Sequence, residues 1–168
     1  GELDAALRSY EAAQALIPEE STATKIRQLR EEIAILADSR KALEEALQEC
    51  DQALAARQAE QAETAIGKAD RIATKAGLDR GPITSRQSGL NKLRAELEKE
   101  ATYTSLMKEG DKGMEMDDPV KALKAYLSAQ RVDDTGDVRA ALSRAYALQA
   151  EQAEREKQYT GAMTQADA

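Results

Sequence analysis

Few side chains in this sequence could do covalent or acid–base chemistry, and the missing residue types narrow them further. Cys50 is the only cysteine, and the 168 residues contain no histidine. A thiol needs a base or a cationic neighbour to act as a nucleophile near neutral pH, and a cysteine standing among leucines behaves as a small apolar side chain. Without histidine, Ser-His-Asp and Cys-His arrangements are unavailable, as are His-based proton transfer and the usual zinc and haem ligand sets. Carboxylates remain. Asp111, Glu115 and Asp117 alternate through Asp111-Lys112-Gly113-Met114-Glu115-Met116-Asp117-Asp118 as the first ligands of a calcium loop do. Such a loop also needs a central Gly and a bidentate Glu at its twelfth place, which here is Ala122. The segment therefore reads as a solvated turn with helix caps, and Asp133-Asp134-Thr135-Gly136-Asp137 as another turn whose acids favour the next helix start. No Gly-rich loop followed by Lys is present to cradle phosphate. The residues assign no catalytic, cofactor or metal site, and the chain is expected not to be an enzyme.

The charge balance speaks to partners. Twenty-four Lys and Arg against 31 Asp and Glu give a net charge of −7, and the five tyrosines are the whole aromatic complement. A polyanion would meet net repulsion and find few rings to stack on, so no nucleic-acid partner is expected. Arg27, Arg30, Arg86, Lys92 and Arg94 are interleaved with acids and read as solvated helix faces. The longest apolar run, Ile33 to Ala37, is five residues. A membrane span needs about 20, so no membrane insertion is expected. One cysteine cannot close an internal disulfide, which leans toward a reducing compartment such as the cytoplasm, although a helical protein of the periplasm would need no disulfide either.

The elements that would carry any function are helices. Ala makes up about a fifth of the chain, and Leu, Glu, Gln, Lys and Arg supply much of the rest; these residues lose least on entering a helix. No sustained alternation argues for a strand. Pro18, Pro82 and Pro119 each mark a stop or start, because proline lacks the amide hydrogen and clashes inside a helix. With the glycines they predict six helices, over 2–17, 20–57, 60–76, 83–109, 119–132 and 136–158. Asp118-Pro119 reads as an N-cap with proline in the first turn, and Gly77 as a left-handed stop. Near Gln58 no breaker separates the second and third helices, while Asp38-Ser39 offers a second place for a break.

The chain also repeats itself. Ala6-Leu7, Tyr10, Ala13 and Leu16 recur as Ala122-Leu123, Tyr126, Ala129 and Val132, displaced by 116, with a weaker copy at Ala65-Ile66, Ala69 and Ile72, displaced by 59 from the first. The spacing lays these side chains along one stripe of a helix. With its small opening residue Gly1, Ala6, Tyr10, Ala13 and a terminal Pro18, the first segment resembles the second helix of a tetratricopeptide repeat. Residues 117–134 match through Ala122, Tyr126 and Ala129, with Gly110 at the place of the small residue of that family's first helix and Asp134 in place of the terminal Pro. The long 20–57 segment and a period near 58 depart from the family's 34 residues.

This resemblance implies an all-α fold, a right-handed α-solenoid of about three elongated antiparallel hairpins over residues 1–158, followed by a frayed tail at 159–168. The match opens at Gly1, midway through a unit, so an upstream helix is expected. It further implies a non-catalytic scaffold that binds a peptide or protein segment along a groove lined by Thr104, Met107, Lys108 and Asp111, then Arg139, Ser143 and Tyr146. Tyr146 is the anchor of that set, being an aromatic off the packing stripe. A C-terminal carboxylate clamp is not recognisable, since Asn91 is the only asparagine. A competing signal is the seam Ile26, Leu29, Ile33, Leu36, Arg40, Leu43, Leu47, Cys50 and Leu54, whose alternating spacings of three and four are those of a coiled coil. Such a seam usually packs within a monomer; used between copies, it would make the chain a self-associating structural protein and a homo-oligomer.

Overall fold

The computed structural model describes residues 1–166, and every regular element among them is helical. In order these are α1 (Glu2–Leu16), α2 (Glu20–Ala55), α3 (Ala59–Ala76), α4 (Gly81–Glu115), α5 (Pro119–Val132) and α6 (Gly136–Ala166). The chain divides into two compact units, Gly1–Arg94 and the part from Ala95 onward, with the division inside α4. Helix α6 continues through Tyr159 to Ala166, where a frayed tail had been expected; residues 167–168 lie outside the described residues.

Several helix ends follow from single residues. Ile17, held extended before Pro18, closes α1, and Gly77 closes α3 in the left-handed region at φ 62°. Asp118 caps α5: its carboxylate accepts the Lys121 amide at 3.0 Å, and Pro119 stands in the first turn. No break occurs at Asp38-Ser39. The Ser39 hydroxyl instead donates to the Ile35 carbonyl at 2.8 Å and stays inside α2.

Two turns without proline or glycine share one geometry; the first lies where a helix boundary was expected, and the second does not. Helix α2 does end before Gln58 although no Pro or Gly is present, because Arg57 takes a left-handed φ of 58°. The turn closes with Ala56, Arg57 and Gln58 amides donating to Gln52, Leu54 and Ala53 carbonyls at 2.9, 3.1 and 2.8 Å. Sixty residues later the same turn is built again. Asp117 has φ 56°, and Met116, Asp117 and Asp118 amides donate to Lys112, Met114 and Gly113 carbonyls at 3.1, 3.1 and 2.9 Å. The 111–115 stretch is therefore the last turn of α4 rather than a solvated turn, and α4 runs past Glu109 through Gly110 and Gly113.

Both glycines are buried against α5. A Cβ on Gly110 would overlap the Tyr126 ring, and one on Gly113 would sit 2.7 Å from the Ala122 amide nitrogen. Each glycine costs about 1 kcal/mol of helix propensity relative to alanine, and the close approach of α5 offsets it.

In the first unit Ala46, Cys50 and Ala53 of α2 share a buried cluster with Ala62, Ala65, Ile66, Ala69 and Ala73 of α3, and Ile83 and Leu90 of α4. Ion pairs at its rim join α4 to α2 through Arg86 and Asp51 at 2.6 Å, and α4 to α3 through Arg94 and Glu63 at 2.6 Å. In the second unit Ala122, Leu123, Tyr126 and Ala129 of α5 pack with Val138, Ala141, Leu142 and Ala145 of α6, while Tyr103, Leu106, Met107 and Met114 of α4 close over them. Three buried residues of α3, Ala62, Ile66 and Ala69, lie sixty positions before the buried Ala122, Tyr126 and Ala129 of α5.

The coiled-coil seam of α2 is spent inside the first unit. Leu29 and Cys50 are buried, the other apolar members are half-buried, and Arg40, the interruption, is exposed. Among the described residues no helix is long and apolar enough to cross a membrane.

Candidate partner-binding surface

The candidate residues belong to two helices of the second unit. On α4, Thr104, Met107, Lys108 and Asp111 recur at spacings of three and four and share one face. Two of them are committed to packing. Met107 is half-buried on the α5/α6 core, and the Asp111 carboxylate accepts the Tyr126 hydroxyl at 2.7 Å. Thr104 and Lys108 are exposed. Thr104 also lines a shallow cavity of about 350 Å³ with Glu96, Lys99, Glu100, Tyr103 and Asp133. At its edge the Tyr103 and Thr135 hydroxyls are 2.6 Å apart, and Lys99 pairs with Asp133 at 3.4 Å.

On α6, Arg139, Ser143 and Tyr146 form a second stripe, all exposed and rotated away from the buried Val138, Ala141, Leu142 and Ala145. Tyr146 is 51% exposed, whereas Tyr126 on α5 is 1% exposed. Arg139 is not a free cation: it grips Asp134 through two nitrogens at 2.6 and 2.8 Å. Among the described residues no hydrogen bond or ion pair joins the α4 set to the α6 set.

The electrostatics follow from these contacts. Burial and the hydrogen bond to Asp111 push the Tyr126 phenol up to about 12. Hydrogen bonds from Arg139 and Gln130 hold the Asp134 carboxyl down at about 2. Burial raises the Cys50 thiol, and the adjacent Asp51 adds to that, which is the reverse of an activated nucleophile. No charged side chain is buried among the described residues, and no group of His, Cys, Asp and Glu there could hold a metal ion.

Two surfaces escaped the sequence reading. A groove of about 630 Å³ runs between α2 and α3, lined by Gln52, Ala53, Gln58, Gln61, Thr64 and Ala65, with the Lys68–Glu49 pair at 2.9 Å on its margin. Small residues on both helices leave it, and their spacing was the only sign of it. The second is the end of α6, where Tyr159 and Met163 are 67% and 46% exposed on the continuation of the packing stripe. Gln152 marks where that stripe runs off the hairpin, its amide donating to the Asp117 carbonyl at 2.6 Å.

Compared with known proteins, the chain matches no family model, no curated protein and no solved structure.

Proposed function

We propose that this protein is a non-catalytic interaction module: stacked, elongated tetratricopeptide-like hairpins of a right-handed α-solenoid that bind a peptide or protein segment. The contact surface is the exposed part of α4 and α6, namely Thr104, Lys108, Arg139, Ser143 and Tyr146, with Met107 and Asp111 at its packed edge. The observation that carries this reading is Tyr146, an aromatic ring half in solvent on a helix face that the unit's core does not use. Rings of this kind, with apolar faces and a polar tip, anchor many protein interfaces. Arg139, two helical turns before it, is held in place by Asp134 and adds the apolar length of its side chain to the same stripe.

A pull-down comparing the parent chain with Tyr146→Ala tests the reading. Tyr146 lies outside the buried core of its unit, so the variant should keep the parent's circular dichroism and lose at least one partner that the parent recovers. Recovery of every partner by both chains refutes the assignment. Against self-association stands the second half of the α2 seam, whose Leu43, Leu47, Cys50 and Leu54 belong to the first unit's core, while Ile26, Ile33 and Leu36 stay half-buried.

A further inference from the structure

Helix α5 turns one side to its unit's core and the other to water. Ala122, Leu123, Ala125, Tyr126 and Ala129 are buried. Opposite them Val120, Lys121, Lys124, Leu127 and Arg131 are exposed, within about a third of the helix circumference. Val120 is 66% exposed and Leu127 37%. Val120, Lys124, Leu127 and Arg131 follow one another at spacings of four, three and four, the seam spacing of a two-helix contact, with Lys121 at its margin. Of the six helices described above, α5 alone contains no Asp or Glu, so its outer face is basic on a chain of net charge −7.

The packing of α5 does not call for this face. Among the described residues the side chains of Lys121, Lys124 and Arg131 form no ion pair or hydrogen bond. Three of the four aspartates that flank the helix are already engaged: Asp118 with the Lys121 amide, Asp133 with Lys99 and Asp134 with Arg139. Lys121 also stands in the first turn, where the helix dipole favours an acid over a cation. Helix α3 packs through an alanine stripe of its own, yet sixty positions earlier it carries Glu60, Gln61, Thr64, Gly67 and Arg71. An apolar and basic outer side is therefore no requirement of such packing.

We propose that the outer face of α5 docks an acidic amphipathic helix of a partner protein. The facing seam of that helix alternates apolar and carboxylate side chains, the apolar ones covering Val120 and Leu127 and the carboxylates meeting Lys124 and Arg131. Charge argues for this occupant: three unpaired cations on an otherwise acidic protein attract an acidic surface and repel a basic one. An anionic membrane is a poorer match, because Lys124 and Arg131 lie on the apolar line itself. Sinking Val120 and Leu127 among acyl chains would draw both charges in with them. The face lies on neither α4 nor α6, so it does not depend on the surface proposed above.

The probe is a capped peptide of three heptads with leucine and glutamate alternating along one face at spacings of four and three, alanine and glutamine elsewhere, and a hydrocarbon staple on the opposite side. The staple removes most of the cost of ordering a short helix. Titrated into the isotope-labelled full chain at low salt, it should shift the amides of residues 120–131 saturably. A peptide with lysine in place of each glutamate should bind at least tenfold more weakly. The chain carrying Lys124→Glu and Arg131→Glu should reverse that preference, and Val120→Ser should weaken the parent pairing at least threefold. All three positions are exposed, so these variants keep the parent's circular dichroism. The proposal is overturned by the absence of saturable shifts in α5 up to millimolar peptide, by equal binding of the two peptides, or by a preference that the charge reversal leaves unchanged. Two further outcomes remove the partner helix. Cosedimentation with phosphatidylserine–phosphatidylcholine vesicles that the double reversal abolishes gives the face to a membrane, and a dimer that it abolishes gives the face to a second copy.

Discussion

Gly67→Ala and Gly110→Ala are the same substitution in two helix interiors, and they should move stability in opposite directions. Each gains about 1 kcal/mol of helix propensity. At Gly67 in α3 nothing lies within 4 Å of the added methyl, so that gain should be realised almost whole. At Gly110 the methyl would overlap the Tyr126 ring, which is 1% exposed and tied by its hydroxyl to Asp111. Overpacking costs about 1–3 kcal/mol, and an overlap with a buried ring takes the upper part of that range, about 2–3, so that after the propensity gain of about 1 the net loss is about 1–2 kcal/mol. In a Tyr126→Leu background, whose branched end can turn aside, the penalty should vanish and Gly110→Ala should become neutral or stabilising. Urea unfolding followed by circular dichroism gives the free energies. Because two units need not unfold in one transition, amide exchange over 119–132 reports the second unit separately. A Gly110→Ala chain as stabilised as Gly67→Ala, or a penalty untouched by Tyr126→Leu, would refute the claim that α4 and α5 meet through missing side-chain volume.

Further expectations follow from the same contacts. The folded chain should show a tyrosinate absorbance step at about pH 12 that Tyr126→Phe removes. The fold favours the neutral phenol, while an unfolded phenol ionises near pH 10, so the second unit should be fully stable below about pH 10 and lose stability from there to about 12. Completion of the absorbance change well before pH 12 would count against the buried ring. Asp134 behaves in the opposite sense: its contribution holds above about pH 4 and disappears as pH falls toward 2, and Arg139→Ala should move its carboxyl titration, read by carbon NMR, up toward the ordinary value near 3.9. Cys50, 0% exposed, should react with a thiol reagent only when the first unit opens, and Ala46→Leu, which overfills the same core, should speed that reaction; immediate labelling of the folded parent would contradict the burial.

Much of the helix plan was readable from the residues that end helices. Pro18, Gly77 and Asp118-Pro119 act through backbone geometry and need no tertiary partner, so their positions carried over to the structure with little change. The boundary at 57–60 was placed within two residues, but its cause was not readable, because nothing in Ala55-Ala56-Arg57-Gln58 forbids a helix; Ala53 and Ala62 share the core on either side of the left-handed Arg57. The glycines of α4 misled for the complementary reason. Gly110 and Gly113 look like breakers in a single sequence and become contact points only once α5 lies on them. The middle copy could not be placed from sequence because Ala-rich stripes match one another at several shifts, and Ile66 and Ala69 are both buried. For the candidate surface, the tetratricopeptide resemblance pointed to Arg139, Ser143 and Tyr146, which are exposed on α6. It could not foresee that Asp111 serves Tyr126 or that Arg139 is held by Asp134, since both depend on contacts across a turn or between helices.

The central claim is that the outward stripe of α6 meets another protein. A benzophenone amino acid at position 146, irradiated in an extract of the native source, tests it most directly. A discrete adduct that excess parent chain competes away, and Tyr146→Ala chain does not, is the predicted result. The account is contradicted if no adduct forms, or if the Tyr146→Ala chain competes as well as the parent.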